Sequence, residues 1–282
     1  RMPGADAAAS ASRAAGGGRG AGPLCNFTKR FKQLTWKVDM VECLRAHARR
    51  EGLDLWKMIP ESFLFYGGDM EASERRQFLD AFVRHAEAGD RNVWIVKPSG
   101  GGKGGRIQVM DNLRDIGYLL SEELGTPGND WVVQKYLERP MLLRGGRKFD
   151  MRCWVLVTPD YKVYLYRQGV LRTGSVRYSL DRLDDTFVHL SNHCIQVKHP
   201  EYGKYEPTNE MWYPEFEAWL RDSAFPDGAV QFERDIVPQL RALVMVSLQA
   251  ARKFLQQAPG CGYRSFHLFG YDFMVDDAGK VW

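Results

Sequence analysis

A glycine-rich loop between two short β-type runs constrains this 282-residue chain more than any other feature. Residues 92–96 (NVWIV) and 107–110 (IQVM) have strand composition, and residues 97–105 (KPSGGGKGG) join them. Glycine lets backbone N–H groups approach phosphate oxygens closely, and lysine adds positive charge. The spacing fits neither a Walker A motif nor a GxGxxG turn in a βαβ unit. The pattern predicts a flap that folds over a nucleotide, and a mobile glycine hairpin without a ligand is the alternative.

The rest of the chain mixes helical and strand patterns. Helical periodicity predicts helices at 37–48, 72–88, 113–123, 214–220 and 238–257, and strand composition predicts strands within 60–68 and at 131–137, 149–157, 162–167, 266–275 and 280–282. Residues 1–22 are nearly all Ala, Gly, Arg and Ser, so this segment is expected to be disordered and residues 23–282 to form the globular core. Apparent hairpins favour an α+β fold with largely antiparallel sheets and flanking helices.

Composition narrows the class of protein. No run of about 18 apolar residues occurs, so nothing is expected to span a membrane. The formal net charge of +4 permits an acidic partner without requiring nucleic acid. The 5 cysteines have no CxxC spacing, which argues against a disulfide framework or a zinc site and favours a reducing interior.

A stripe of alternating charge opens the predicted strand at 149–157. Lys148, Asp150 and Arg152 are two residues apart, and alternate residues of a strand share one face. A cation–anion–cation stripe suits a site that handles phosphate, metal and carboxylate together, with Arg172 as a further cation. A surface ladder of salt bridges is the alternative.

Three further segments carry weaker signals. Residues 134–137 (QKYL) can hold an adenine edge with their backbone, or can be an ordinary edge strand. In residues 191–194 (SNHC), Asn192 is a plausible oxygen ligand or phosphate contact, whereas His193 is expected to be structural. Asp272 is an acid within an apolar strand, so it is expected to be buried and either to bind magnesium or to pair with a cation.

Taken in this order, these segments resemble the tubulin tyrosine ligases and the tubulin tyrosine ligase-like enzymes. The resemblance covers residues 26–282 and is carried by NVWIVKPSGGGKGG, VVQKYLERPMLL, RKFDMRCWVLV, YLYRQGVLRT, HLSNHCIQ and FGYDFMVD. It implies an ATP-grasp fold, in which two α+β lobes close on ATP between antiparallel sheets. It also implies ATP and Mg²⁺ as cofactors, a free amino acid and tubulin (through its acidic C-terminal tail) or microtubules as partners, and a cytoplasmic location on the cytoskeleton, cilium or flagellum.

The resemblance implies roles for individual residues. Lys97 matches a lysine that contacts ATP phosphates, and Lys37 matches a second one, although Trp36 stands where a basic residue is expected. The other implied assignments are adenine contacts at Gln134, Lys135 and Leu137, ribose and phosphate contacts at Lys148 and Asp150, an ATP-site asparagine at Asn192, a first magnesium ligand at Asp272, and catalytic arginines for the substrate carboxylate and the transferring phosphate at Arg152 and Arg172. A basic groove for an acidic tail is expected from Arg144, Arg147, Arg152 and Arg172.

The implied reaction phosphorylates a protein carboxylate and then joins an amino acid to the acylphosphate. Residues 167–173, 191–196 and 205–211 lean toward tyrosine addition, whereas WVVQKYLERPMLL suits a glutamate- or glycine-adding relative as well. A non-catalytic member that binds nucleotide or microtubules is the alternative. In the family, a glutamate and an asparagine follow the tryptophan that matches Trp282 and complete the magnesium site. The core is therefore expected to be truncated at its C-terminus and to lack a complete metal site.

Overall fold

The computed structural model describes residues 22–102, 104–256 and 262–282. Expectations for residues 1–21 of the low-complexity segment, for Lys103 of the glycine-rich loop and for Cys261 therefore lie outside the described residues. Within the described residues, no helix combines the length and the apolar character that crossing a bilayer requires.

Helices and strands are interspersed along the chain, as the mixed patterns predict. The helices are α1 (Lys32–Thr35), α2 (Lys37–Glu51), α3 (Arg75–Glu87), α4 (Leu113–Glu123), α5 (Thr186–His189), α6 (His193–Gln196), α7 (Tyr213–Trp219) and α8 (Val237–Leu255). The strands are β1 (Leu24–Asn26), β2 (Ser62–Phe65), β3 (Trp94–Pro98), β4 (Gln108–Met110), β5 (Trp131–Lys135), β6 (Leu142–Leu143), β7 (Arg147–Val157), β8 (Val163–Arg177), β9 (Glu210–Trp212) and β10 (Arg264–Phe273). Short 3-10 turns lie at Leu55–Lys57 and Pro207–Asn209, and π-helical turns lie at Leu220–Ala224 and Phe232–Ile236.

The strands form two sheets. The smaller has the order β2-β5-β3-β4, and the larger has the order β1-β10-β7-β8-β9, with β6 also paired to β7. Each strand pair is antiparallel except β1 with β10, which run parallel. The predicted α+β class with largely antiparallel sheets is confirmed.

The apolar side chains of each sheet decide which helices cover it. In the small sheet, Trp94 and Trp131 pack with residues of α3 and α4, whereas Leu64 and Val132 face Val41 of α2 on the other side. In the large sheet, the buried face of β7 packs against residues of α7 and α8. The apolar residues of β7 that take part are Phe149, Met151, Cys153, Val155 and Val157. The alternate residues of β7, including the charged stripe, are thereby turned to the opposite face.

Some predicted elements have different bounds. The strand expected to end near residue 167 continues to Arg177, because β8 stays paired with β7 past an irregularity in register between Cys153 and Val155. Residues 280–282 form a single bridge, Val275 to Val281, rather than a strand. Local composition did not show these outcomes, because cross-strand partners decide them.

Replacing two of the glycines by alanine should change the stability of the protein in opposite directions. A Cβ at Gly169 in β8 would overlap the ring of Tyr213, which is buried in the core beneath the sheet. Gly117 lies in α4, and its Cβ would meet nothing within 4 Å. We expect Gly169→Ala to lower the free energy of unfolding by roughly 3 kcal/mol through overpacking. Gly117→Ala should raise it by about 0.5–1 kcal/mol, because alanine has the better helix propensity.

Denaturant unfolding of both variants measures this difference. Similar unfolding midpoints for the two variants would contradict the packing of α7 against β8. A loss of stability in Gly117→Ala would contradict the placement of this residue in an exposed helix.

Candidate functional site

Three lysines collect where the two sheets meet. Lys97 lies on β3 of the small sheet, Lys148 on β7 of the large sheet, and Lys37 begins α2. Lys37 Nζ donates to the carbonyl oxygen of Pro98 at 2.9 Å, which holds it beside the start of the glycine-rich loop. Lys148 Nζ donates to the hydroxyl of Tyr136 at 2.7 Å, which joins the large sheet to the segment after β5. The fold therefore brings together lysines that are far apart in sequence.

These lysines lack acidic partners. Among the described residues, no carboxylate lies within ion-pair distance of Lys37, Lys97 or Lys148. Burial, together with a smaller contribution from nearby Lys37, lowers the pKa of Lys97 to about 8. Burial lowers the pKa of Lys148 to about 7, with Asp150 opposing the shift and Lys97 adding to it. A cluster of buried cations without counter-charge is costly to the protein and is well suited to a polyanion such as a triphosphate.

An alternating network of acids and arginines lies on the same face of the large sheet. Arg172 Nε donates to Asp150 Oδ1 at 2.7 Å, and Arg172 NH2 lies 2.8 Å from Asp272 Oδ2. Arg152 NH2 donates to the same Asp272 oxygen at 3.0 Å. Ser191 donates from its hydroxyl to Asp150. The predicted face shared by Lys148, Asp150 and Arg152 is confirmed, and it carries a paired network at one end and an unpaired lysine at the other.

Asp272 differs from the expectation of a buried carboxylate. Its side chain is 42% exposed, since β10 turns it to the open face of the sheet. Both of its oxygens contact guanidinium groups, so Asp272 pairs with cations in this structure, as the alternative to magnesium binding predicts. Among the described residues, no group of three or more His, Cys, Asp and Glu side chains is arranged to hold a metal ion. One carboxylate together with phosphate oxygens and water is nevertheless an ordinary environment for Mg²⁺.

The QKYL segment lies at the end of β5, beside the lysines. Gln134 Oε1 accepts from Lys97 Nζ at 2.7 Å, and Gln134 Nε2 donates to Ser62 Oγ at 2.8 Å. Lys135 is ion-paired with Glu138, so its charge is compensated, unlike those of the lysine cluster. Leu137 is half-buried just beyond the strand. Gln134 is therefore in direct contact with the lysine cluster, whereas Lys135 and Leu137 belong to the segment that connects the two sheets.

The glycine-rich loop ends against the segment that bears Asn192. A Cβ at Gly104 would lie 2.6 Å from Ile195 Cδ1 and 3.1 Å from Asn192 Oδ1. Asn192 precedes the first turn of α6 rather than lying on a strand. His193 accepts or donates a 3.2 Å hydrogen bond with Tyr202, in line with the structural role expected for it. The loop and Asn192 are therefore neighbours, which the sequence did not show.

One arginine of the expected basic groove, Arg147, lies in the interior instead. Arg147 is 1% exposed and forms two hydrogen bonds, of 2.8 and 2.6 Å, with Glu206. Successive residues of a strand point to opposite faces, so Arg147 lies on the face opposite Lys148. Its inclusion in a groove was wrong, because a buried and neutralised guanidinium cannot meet an acidic peptide. Arg144 is exposed, and Arg152 and Arg172 are already paired.

Comparison with known protein families and sequences shows the family of this chain. The model of the "Tubulin-tyrosine ligase family" matches residues 24–282. The chain belongs to that family. It is 37% identical to the human "Tubulin monoglycylase TTLL3" over 73% of this chain and 27% of the relative. Similar matches are the mouse "Protein monoglycylase TTLL8", 33% identical over 69% of this chain and 23% of the relative, and the Tetrahymena thermophila "Tubulin glycylase 3B", 31% identical over 71% and 16%.

Membership of the tubulin-tyrosine ligase family confirms the resemblance inferred from the motifs. The chain spans about a quarter or less of the length of these relatives. Their names describe glycine addition, so they do not support the lean toward tyrosine taken from residues 167–173, 191–196 and 205–211. Sequence reasoning also missed Tyr136 and His189, which contact Lys148. Both lie inside the recognised motifs, QKYL and HLSNH, and their proximity to Lys148 was the missing information.

Proposed function

We propose that the chain is the catalytic core of an ATP-dependent ligase that joins glycine to a carboxylate of tubulin. The observation that carries this proposal is the cluster of half-buried Lys37 and Lys97 with buried Lys148, which has no acidic partner among the described residues and adjoins the Asp/Arg network through Lys148 and Asp150. The core comprises residues 23–282. Its two sheets form the two lobes of an ATP-grasp fold, which closes on the nucleotide.

ATP fits the donors that the site offers. The three lysines carry the positive charge that phosphate oxygens need, and the glycine-rich loop beside Lys37 supplies backbone N–H groups. The segment from Gln134 to Leu137 offers backbone groups and apolar surface for adenine. Asn192 and Asp150 would complete the ribose and phosphate contacts, and Asp272 would hold a magnesium ion. When bound, that ion would offset charge on the phosphates.

The reaction requires two transfers. An oxygen of the acceptor carboxylate attacks the γ-phosphorus of ATP, and the bond from this phosphorus to the β-phosphate oxygen breaks. ADP departs, and the acceptor becomes an acylphosphate. The amine of glycine then attacks the acyl carbon, phosphate departs, and the amine loses a proton as the amide forms. We assign Arg152 and Arg172 to the anionic carboxylate and the transferring phosphate, because charge on these groups must be offset in the transition state.

Tubulin and glycine enter this proposal through the relatives, which are named as glycylases and monoglycylases. An acidic tubulin tail is a natural acceptor, since it presents carboxylates to the two guanidinium groups. Association with the cytoskeleton, including cilia or flagella, follows from such a substrate. A non-catalytic binding member is the second candidate, favoured by the occupation of both Asp272 oxygens by arginines.

The proposal is tested by incubating the protein with ATP, Mg²⁺ and tubulin in three parallel reactions with labelled glycine, glutamate or tyrosine. We expect incorporation of glycine above the other two. Lys97→Met should abolish incorporation, whereas Lys57→Met, on an exposed side chain, should not. Incorporation of tyrosine alone would overturn the choice of glycine. ATP binding without incorporation of any of the three would support the non-catalytic candidate.

A further inference from the structure

A chain of hydrogen bonds runs from Lys148 away from the site. Lys148 Nζ donates to Tyr136 Oη at 2.7 Å and to the carbonyl oxygen of His189 at 2.8 Å. Tyr136 Oη lies 2.9 Å from His189 Nδ1, and His189 Nε2 lies 2.9 Å from the carbonyl oxygen of Arg182. Tyr136 and His189 are 5% and 2% exposed, so water does not substitute for these bonds.

The chemistry of the end groups determines the direction of each bond. A carbonyl oxygen can only accept, so His189 Nε2 carries the proton that is donated to Arg182. In the neutral ring Nδ1 is then an acceptor, and the Tyr136 hydroxyl donates to it. The Tyr136 oxygen is therefore free to accept from Lys148. Tyr178 lies beside this pair: its hydroxyl donates to the carbonyl oxygen of Glu138 at 2.9 Å and also interacts with Tyr136.

Two of the three Lys148 N–H groups are thus engaged on the side away from the cluster. Among the described residues, no third acceptor contacts the ammonium. The bonds to Tyr136 and to the His189 carbonyl stabilise the charged form, against the desolvation that disfavours it. They also orient the remaining N–H toward the face where Lys97 and Asp150 lie.

We propose that Tyr136, held by His189, is a positioning residue that keeps the Lys148 ammonium protonated and directed into the nucleotide site. This inference rests on the proposed binding of ATP, and it assigns the tyrosine of QKYL a function apart from adenine contact. It requires His189 to stay neutral. Burial lowers the pKa of His189; the hydrogen bond to the Arg182 carbonyl opposes this shift, and nearby Lys148 adds to it. The titratable and charged groups that face His189 are Lys148, Tyr136, Tyr178, Arg182 and Asp185.

The test compares ATP affinity of Tyr136→Phe and wild type at several pH values. Phenylalanine removes one acceptor from the ammonium, so the pKa of Lys148 should fall by about one unit. A protonated lysine is needed to bind phosphate, so the affinity ratio of wild type to variant should be near one at about pH 5.5 and about tenfold at about pH 8.5. Titration of the nucleotide itself is common to both proteins and cancels in the ratio.

A pair of His189 variants separates the hydrogen bond from packing. In His189→Asn the amide oxygen can replace Nδ1 as the acceptor for Tyr136, whereas His189→Gln reaches Arg182 and removes the Nδ1 acceptor from Tyr136. We expect the affinity ratio to stay constant with pH in the Asn variant and to rise with pH in the Gln variant. This pair decides the question even where Tyr136→Phe does not fold.

The outcomes distinguish this inference from the proposed function. Wild-type protein that fails to bind ATP overturns the nucleotide site and the inference together. The inference alone is overturned if wild-type protein binds ATP but the ratio of wild-type to variant ATP affinity does not depend on pH in Tyr136→Phe and in His189→Gln. A merely structural role lowers affinity equally at all pH values.

Discussion

Lys97→Met should abolish ATP binding and at the same time make the protein more stable. The ammonium of Lys97 is buried, and its only hydrogen-bond acceptor among the described residues is Gln134 Oε1. The folded protein therefore bears a desolvation cost that methionine, of similar shape, does not have. After allowance for the lost hydrogen bond, we expect the free energy of unfolding at neutral pH to rise by roughly 2 kcal/mol. ATP affinity should fall by about 100-fold or more, since a charge-assisted contact to phosphate is lost.

The pH dependence of the stability gain follows from the pKa of Lys97. Its pKa is about 8 in the folded protein, below the ordinary value of 10.5. Between these values the unfolded chain binds more protons than the folded protein does, so wild-type stability rises with pH. The advantage of Lys97→Met should therefore be complete below about pH 8 and disappear as the pH approaches 10.5.

Denaturant unfolding across this pH range, together with calorimetric ATP titration, checks both effects. Lys57→Met is the matched control, because Lys57 is exposed beside Asp54 and should change neither quantity. A variant that is less stable than wild type and still binds ATP would show that Lys97 is a structural cation. It would also remove the main support for a nucleotide site.

Asp272→Asn should nearly abolish ATP turnover while leaving the fold intact. The amide keeps the shape of the side chain but removes the anion that Arg152 and Arg172 share. It is also a poorer magnesium ligand than a carboxylate. We expect turnover to fall by about 100-fold or more, as when other charge-stabilising groups are removed. Because the side chain is 42% exposed, the free energy of unfolding should change by less than about 1 kcal/mol.

The magnesium dependence of the residual turnover separates two roles for Asp272. If the carboxylate binds the ion, the variant needs more Mg²⁺ for half-maximal turnover. If it only positions the two arginines, the Mg²⁺ requirement stays unchanged and the acceptor KM rises instead. Asp181→Asn, which breaks an exposed ion pair with Arg91, is the control and should be neutral. Full activity of Asp272→Asn would refute both roles.

Several site features could be predicted from sequence because they depend on local geometry. The two-residue period of a strand placed Lys148, Asp150 and Arg152 on one face, and the structure confirms this arrangement. The helix at 113–123 was predicted at its observed bounds, since its pattern is amphipathic and Asn112 caps its first turn. These properties need no information about distant parts of the chain.

Other features depend on contacts between distant segments, and the sequence misled there. Asp272 was expected to be buried because its strand is apolar, but it lies on the open face, where Arg152 and Arg172 reach it. Arg147 was assigned to a groove, yet Glu206 binds it in the interior. Hydrophobicity along one strand does not reveal which of its faces another element covers.

The order of motifs by itself determined the family and the chemical types that this protein offers to a ligand: a glycine-rich loop, lysines, and a stripe of alternating charge. Only the tertiary structure decided which charges are neutralised. Arg152, Arg172 and Lys135 have acidic partners, whereas Lys97 and Lys148 have none within the part of the chain that the structure describes. The physical reason is that a charge is compensated through space, over a few ångströms, by residues whose distance along the chain carries no information about their distance in the fold.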